Sequence, residues 1–137
     1  MNSFNLSSEE KSQLLDAAQS VFKNAYAPYS KFRVGAAILT NTGNIFSGCN
    51  VENASYGLTI CAERAAIFSA VAKVGGENLK IRAVAVVNEA GIYCPPCGAC
   101  RQVIFEFGAD ALILMREGEN LKQMTINELL PEAFKLR

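Results

Sequence analysis

Cys61-Ala62-Glu63 and Cys97-Gly98-Ala99-Cys100 are the residues of this chain whose types and spacing best suit chemistry. The first group places a thiol two residues before a carboxyl group, and the second is a C-x-x-C pair. The chain contains no histidine, so a transition-metal site here has to be built from sulfur and oxygen. Three thiolates fill three corners of a tetrahedral zinc and leave the fourth open, the arrangement of a catalytic rather than a structural ion. Glu63 then supplies a proton carrier beside the open corner, able to take a proton from bound water and return it to a substrate.

Both cysteine groups sit where helices are predicted to begin. A helix N-terminus presents unpaired N–H donors and about half a positive charge, which favours thiolate over thiol. Cys97 and Cys100 are three residues apart, so one helical turn brings both sulfurs to the same side. Pro95 and Pro96 stiffen the approach and cannot lie inside the helix. Two helix starts meeting head to head then hold one metal ion. Three thiolates on a divalent zinc leave a net negative charge, which opposes ionisation of a bound water unless a cation offsets it. Arg64 and Arg101 are both close enough in sequence to donate to sulfur, and Arg64 is the preferred candidate. The spacing also admits a closed site in which Cys94 joins Cys61, Cys97 and Cys100 as a fourth ligand. Glu63 is then only an acidic residue favoured by its helix start. Structural zinc ribbons usually pair two separate C-x-x-C knuckles, and the lack of a second one here argues for the open site. Cys49 reads as a small buried residue rather than a ligand.

The elements that must position these residues follow from caps and periodicity. Ser7 with Glu10 forms a capping box, opening a helix whose apolar face is Leu14, Leu15, Ala18, Val21 and Phe22; Ala27-Pro28-Tyr29-Ser30 ends it. Residues 33–40 read as a strand, 41–44 as a hairpin turn and 45–49 as the returning strand. Residues 50–59 are polar and irregular. Strong helix formers run from Cys61 to Lys73, with Gly75-Gly76 as the stop. The β-branched run 81–87 suits a central strand. A Gly/Pro-rich loop leads into a helix over 98–107, closed by Gly108, and then a strand over 111–115. After a turn at 117–120, residues 123–125 continue the sheet, and Thr125 with Glu128 forms a second capping box before Pro131. This order predicts an α/β fold, a three-layer α/β/α domain with a mixed sheet of about five strands.

At 137 residues the chain suits a single domain, 1–137, large enough to bury roughly 70% of its unfolded surface. With 50% hydrophobic and 19% charged residues it is not intrinsically disordered. Its 13 basic and 13 acidic residues cancel, and no Lys/Arg run exists to track phosphates. A nucleic-acid partner is therefore disfavoured, and a small neutral or weakly charged molecule is favoured. Met1–Ser8 has neither the basic segment nor the apolar core of a signal peptide, and no apolar run approaches the roughly 20 residues of a membrane span. The expected setting is the cytoplasm, without a membrane partner. There the five cysteines stay reduced and read as metal or catalytic thiols before they read as disulfides.

Taken together, these segments resemble the cytidine deaminases of the short, homotetrameric kind. The resemblance is carried by Pro28-Tyr29-Ser30-Lys31-Phe32 with Val34-Gly35-Ala36-Ala37, then by Gly48-Cys49-Asn50-Val51-Glu52-Asn53-Ala54-Ser55-Tyr56. Cys61-Ala62-Glu63-Arg64 and Pro96-Cys97-Gly98-Ala99-Cys100-Arg101-Gln102 follow, and Leu129-Leu130-Pro131 with Phe134 completes it. The C-A-E and P-C-x-x-C elements mark zinc-dependent nucleobase deaminases generally. The Asn50-x-Glu52 segment narrows the match to the branch acting on free nucleosides.

The resemblance implies one Zn2+ per chain held by Cys61, Cys97 and Cys100, with Glu63 as catalytic proton shuttle and Arg64 hydrogen-bonding the thiolates. It implies that Asn50 and Glu52 bind the ribose hydroxyls, that Phe32 stacks near the base and that Ala62 belongs to the substrate pocket. Phe134 is implied to reach a neighbouring subunit's pocket and Tyr56 to lie near an interface, in a homotetramer with shared active sites. The implied reaction is hydrolytic deamination of cytidine and 2′-deoxycytidine to the uridines with release of ammonia, by zinc-bound hydroxide and Glu63, a step of pyrimidine salvage. From residue types alone, an amide and a carboxylate two apart can grip a diol. The same types also suit a solvated loop at Asn50 and Glu52, a core position at Phe32 and a plain C-terminal anchor at Phe134. A deaminase of another aminopyrimidine nucleoside, such as the blasticidin type, is the second enzymatic reading. Cys94-Pro95-Pro96 departs from the family's usual small polar residue and single proline at that point, which leaves the substrate loop open in detail.

Overall fold

The computed structural model describes residues 6–136; most of the N-terminal stretch read above for an export signal lies outside that range. Helix α1 (Ser8–Phe22) begins at a reciprocal cap: Glu10 N donates to Ser7 Oγ and Ser7 N donates to Glu10 Oε1, both at 3.0 Å. A cap of this kind is worth about 1 kcal/mol. The helix stops at Lys23, short of Ala27-Pro28. Asn24 and Ala25 take tightened bonds to the Val21 and Phe22 carbonyls, and Tyr26 then pairs with Val51 instead of continuing the helix.

Strands β1 (Val34–Thr40) and β2 (Ile45–Cys49) form an antiparallel hairpin, with Gly43 at φ 86° supplying the left-handed residue of its turn. Helix α2 (Ala62–Val74), strand β3 (Ile81–Asn88), helix α3 (Gly98–Phe107), strands β4 (Leu112–Glu117) and β5 (Asn120–Thr125) and helix α4 (Ile126–Leu129) follow. The five strands form one mixed sheet in the order β2-β1-β3-β4-β5, with β3 and β4 parallel and the other neighbours antiparallel. Helix α3 is the crossover that a parallel pair requires. Strand β5 starts at Asn120 rather than at residue 123, and its turn shrinks to Gly118-Glu119. Asn120, Lys122 and Gln123 are exposed on this edge strand, so it shows little of the apolar alternation that marks a strand in a sequence.

The sheet is covered on both faces, giving three layers. Leu14, Leu15 and Ala18 of α1 pack on Ala37, Leu39, Ala83, Ala85 and Leu114. Ala66, Ile67 and Ala70 of α2 and Ile104 of α3 pack on the opposite face with Ile38, Val84, Val86, Ile113 and Met115. Two glycines let the helices come this close. A Cβ on Gly35 would lie 2.0 Å from the Ala18 carbonyl oxygen, and one on Gly48 would lie 2.4 Å from Ala66 N. The α2 face and the loop after β3 thereby bring the starts of α2 and α3 together. No helix among the described residues is long and apolar enough to cross a membrane.

Candidate metal centre and active site

Cys61 is the N-cap of α2 and Cys97 the N-cap of α3, both in extended backbone and neither using its side chain to cap the helix. Their sulfurs are therefore left free of the helix ends. Cys100 lies in the first turn of α3 and is fully buried. The two helix starts converge so that the three Sγ atoms all lie within 4.8 Å of one another, with those of Cys61 and Cys97 3.8 Å apart. Sulfurs bound to one zinc at about 2.3 Å and tetrahedral angles are about 3.8 Å apart, so the Cys61–Cys97 pair already has that ion's spacing, and Cys100 Sγ lies within 4.8 Å of both. The donor set fits as well: three free thiols with no disulfide between them. Among the described residues no further cysteine or carboxylate joins the group. Cys94 stands outside it, half-buried in the loop before Pro95.

Arg64 lies one turn beyond Cys61 on α2 and donates from Nη2 to its Sγ at 3.3 Å. The Cys61 thiol is pushed down to about 5, first by a hydrogen bond from the Cys100 thiol, with Arg64 and Cys97 adding and burial opposing. Cys100 is pushed up by holding that proton for Cys61 and by its own burial. Arg64 Nε is buried without a hydrogen-bond partner, so this cation is kept in place by the sulfurs rather than by a carboxylate. Arg101 turns elsewhere. Its Nε donates to the Pro96 carbonyl and its Nη1 to the Leu129 carbonyl, each at 2.7 Å, bracing the loop before Cys97 against the C-terminal segment.

Glu63 is only 4% exposed, in the first turn of α2. Burial pushes its carboxyl group up to about 7, and the negative Cys61 beside it adds to the shift. Ala62, between the two, is fully buried. Burial also raises the Cys94 thiol, with the charges of Glu63, Cys61 and Cys97 contributing, and burial raises Cys49, which is half rather than fully buried.

At Asn50 and Glu52 the side chains are more committed to backbone than their polar sequence context suggests. Asn50 Oδ1 accepts from Val34 N at 2.9 Å, and its Nδ2 donates to the Phe32 carbonyl at 2.8 Å. Glu52 Oε1 accepts from Tyr29 N and Ser30 N, and its Oε2 accepts from the Ser30 hydroxyl. These bonds hold Glu52 below the usual carboxylate range, the Ser30 hydroxyl contributing most. Ser30, which in sequence is one more polar turn residue, is thus tied to Glu52; a serine able to accept from the backbone N–H two residues on, a side-chain turn, is the signal that could have found it. Phe32 is half-buried. Tyr56 is 75% exposed and meets Tyr29 edge-on, and Phe134 is 67% exposed, its carbonyl accepting from Gln102 Nε2 at 2.8 Å.

A family model described as the cytidine and deoxycytidylate deaminase zinc-binding region matches residues 8–116, a stretch that contains all three clustered sulfurs and Glu63. The chain belongs to the cytidine deaminase family. A cytidine deaminase of Halalkalibacterium halodurans is 42% identical over 127 residues, which covers 91% of this chain and 94% of the relative. The crystal structure of cytidine deaminase from Burkholderia pseudomallei superposes with a TM-score of 0.81 at 45% identity, covering 94% of this chain and 100% of that one. A blasticidin-S deaminase of Bacillus cereus is 34% identical over 141 residues and covers 98% of both chains. As a cytidine deaminase family member with a sulfur cluster able to coordinate a metal, the chain is a hydrolase of the deaminase class.

Proposed function

We propose that the chain hydrolyses the exocyclic amine of cytidine and 2′-deoxycytidine, releasing ammonia and the corresponding uridines. The observation that carries this reading is the trio of sulfurs at two helix starts with the buried Glu63 beside it. Cys61, Cys97 and Cys100 would hold one zinc per chain, which when bound supplies a Lewis acid that makes water nucleophilic near neutral pH. Arg64 offsets part of the thiolates' negative charge. Glu63, in dry surroundings that raise its carboxyl pKa, is suited both to receive and to give a proton. It delivers one proton to ring N3 as the water oxygen adds at C4, and a second to the amine as the C4–N bond breaks. Water supplies the new C4 oxygen and ammonia carries the nitrogen away. Glu52, Asn50 and Phe32 would bind the ribose and base, and Ala62 would line the pocket.

The assembly we assign is a homotetramer. Tyr56 and Phe134 present large aromatic surfaces that an isolated chain leaves in water, and such residues are enriched at interfaces. Sedimentation of the purified protein at four times the chain mass supports this, and a monomer refutes it.

The reaction is tested by ammonia release from zinc-loaded protein supplied with cytidine, 2′-deoxycytidine, CMP, cytosine or blasticidin S. Turnover of the two nucleosides is expected. Deamination of CMP but not cytidine moves the assignment to nucleotides, deamination of blasticidin S alone moves it to the antibiotic, and no ammonia from any of the five sinks it.

A further inference from the structure

The turn around Ser30 is more tightly tied than a surface loop needs to be. Glu52 Oε1 accepts from Tyr29 N at 2.9 Å and from Ser30 N at 3.1 Å, while Oε2 accepts from the Ser30 hydroxyl. The same Ser30 Oγ accepts from Phe32 N at 3.0 Å. Between Ser30 and Phe32, Lys31 is held at φ 61°, in the left-handed region that a residue with a Cβ seldom occupies. Asn50 Nδ2 secures the far side of the turn at the Phe32 carbonyl. One serine hydroxyl therefore links Glu52 to Phe32 across a strained residue, and such strain persists only where the surroundings over-determine it.

Counting acceptors sharpens the consequence. An ionised carboxylate offers about four lone-pair positions. Two backbone N–H groups and one hydroxyl occupy three of them on Glu52, leaving a single position on Oε2. Asn50 is 7% exposed with both ends of its amide engaged by backbone. The pair is thus an unsymmetrical grip for a diol: Asn50 keeps one N–H and one lone pair, both neutral, and Glu52 keeps one anionic position. Glu52 is its one strong acceptor, and the Ser30 bond helps keep that acceptor ionised.

We propose that Ser30 is a positioning residue for ribose recognition: it locks Glu52 so that the carboxylate accepts one ribose hydroxyl, and it sets Phe32 in register with that contact. The inference rests on the nucleoside reading above. It makes recognition depend on one of the two ring hydroxyls and tolerant of losing the other.

Calorimetric titration of the zinc-loaded protein with uridine, 2′-deoxyuridine and 3′-deoxyuridine tests it, alongside kinetics on the matching cytidines. In the wild type, one deoxy analogue loses about tenfold or more in affinity and the other less than about threefold. Ser30→Ala weakens uridine binding about tenfold and raises KM with kcat within about threefold, yet leaves the analogue lacking the recognised hydroxyl within about twofold. Ser30→Thr, which keeps a hydroxyl, restores uridine affinity. Should Ser30→Ala fail to fold, Ser30→Cys decides on the same ligands, because a thiol fills the same space with a much weaker hydrogen bond and must show the same hydroxyl-specific loss. Equal losses on all three ligands, no loss on any, or a wild type for which both hydroxyls matter equally overturns the proposal. The expected binding pattern without ammonia release sinks the deaminase reading and leaves the role of Ser30 standing; absence of nucleoside binding sinks both.

Discussion

Arg64 Nη2 lies 3.3 Å from Cys61 Sγ, one turn further along the same helix. A cation at that distance stabilises the thiolate and so the ligand form of the cysteine, and it leaves the cluster less negative. Partners that touch metal ligands in this way typically carry 10–100-fold in metal affinity. Arg64→Gln is expected to lose about that much in a zinc competition against a chromogenic chelator. Arg64→Lys should lose less, because it keeps the charge but not the planar fork. Unchanged zinc affinity in Arg64→Gln would remove the arginine from the metal centre.

Glu63→Gln keeps the size of the side chain in a pocket where 4% of it is exposed. The variant should fold and retain its zinc while kcat falls by about 10²–10⁴-fold, the range that proton transfer by a placed carboxyl group contributes. A variant that turns cytidine over within tenfold of wild type contradicts the shuttle.

Much of this architecture is written in local chemistry. The capping boxes at Ser7 and Thr125 and the β-branched run of β3 mark their elements because caps and buried strands act through neighbours in sequence. Strand β5 is obscure because its first four residues are exposed on both faces, which leaves no apolar alternation to read. The sulfur trio shows the same division. Cys94 and Cys100 are each three residues from Cys97, so spacing alone cannot choose between them. Only the start of α3 separates Cys100, on a helical turn, from Cys94, in the extended loop before two prolines. Likewise Arg101 follows a ligand in sequence more closely than Arg64 does, one residue after Cys100 against three after Cys61, and it is tertiary packing that sends it to Pro96 and Leu129. Asn50 looks free in a polar segment, yet its amide joins β1 to the Phe32 turn, a contact no local pattern announces.

Cys94 sits outside the cluster. Cys94→Ser should therefore retain one zinc per chain and wild-type turnover, whereas Cys100→Ser should lose both metal and thermal stability, since metal binding and folding are coupled. Metal analysis showing that Cys94→Ser has lost its zinc would instead establish a closed four-sulfur site.

Acid should destabilise the fold through two carboxylates. Glu10 is held below its ordinary value of 4.5 first by the Ser7 amide and then by Arg82, whose Nη1 lies 3.1 Å away; Glu52 is held down first by the Ser30 hydroxyl. A carboxylate depressed on folding adds stability above its unfolded pKa, and that stability is lost as pH falls through the lower folded value. The melting temperature should thus fall as pH drops below the ordinary carboxylate range, and Glu10→Gln should show a shallower fall than wild type with no change of slope above neutrality. Proton-driven metal loss is common to both proteins and cancels in the comparison. Parallel acid limbs for the two would show that the Glu10 contacts are not what acid breaks.

The close approach of α1 to the sheet rests on Gly35. An added Cβ would meet the Ala18 carbonyl oxygen at 2.0 Å and Phe22 N at 3.0 Å, both backbone atoms of a helix that cannot yield without lifting off β1. Gly35→Ala should cost about 3 kcal/mol, the upper range for overpacking a well-filled core, which for a domain of this size lowers the melting temperature by roughly 10 °C. Gly76→Ala is the matched control, because its Cβ would meet only Val71 Cγ1 at 3.7 Å, an ordinary contact, and its effect should stay within about 0.5 kcal/mol. If calorimetry finds the two variants equally stable, α1 has room to move and the tight docking described for Gly35 is wrong.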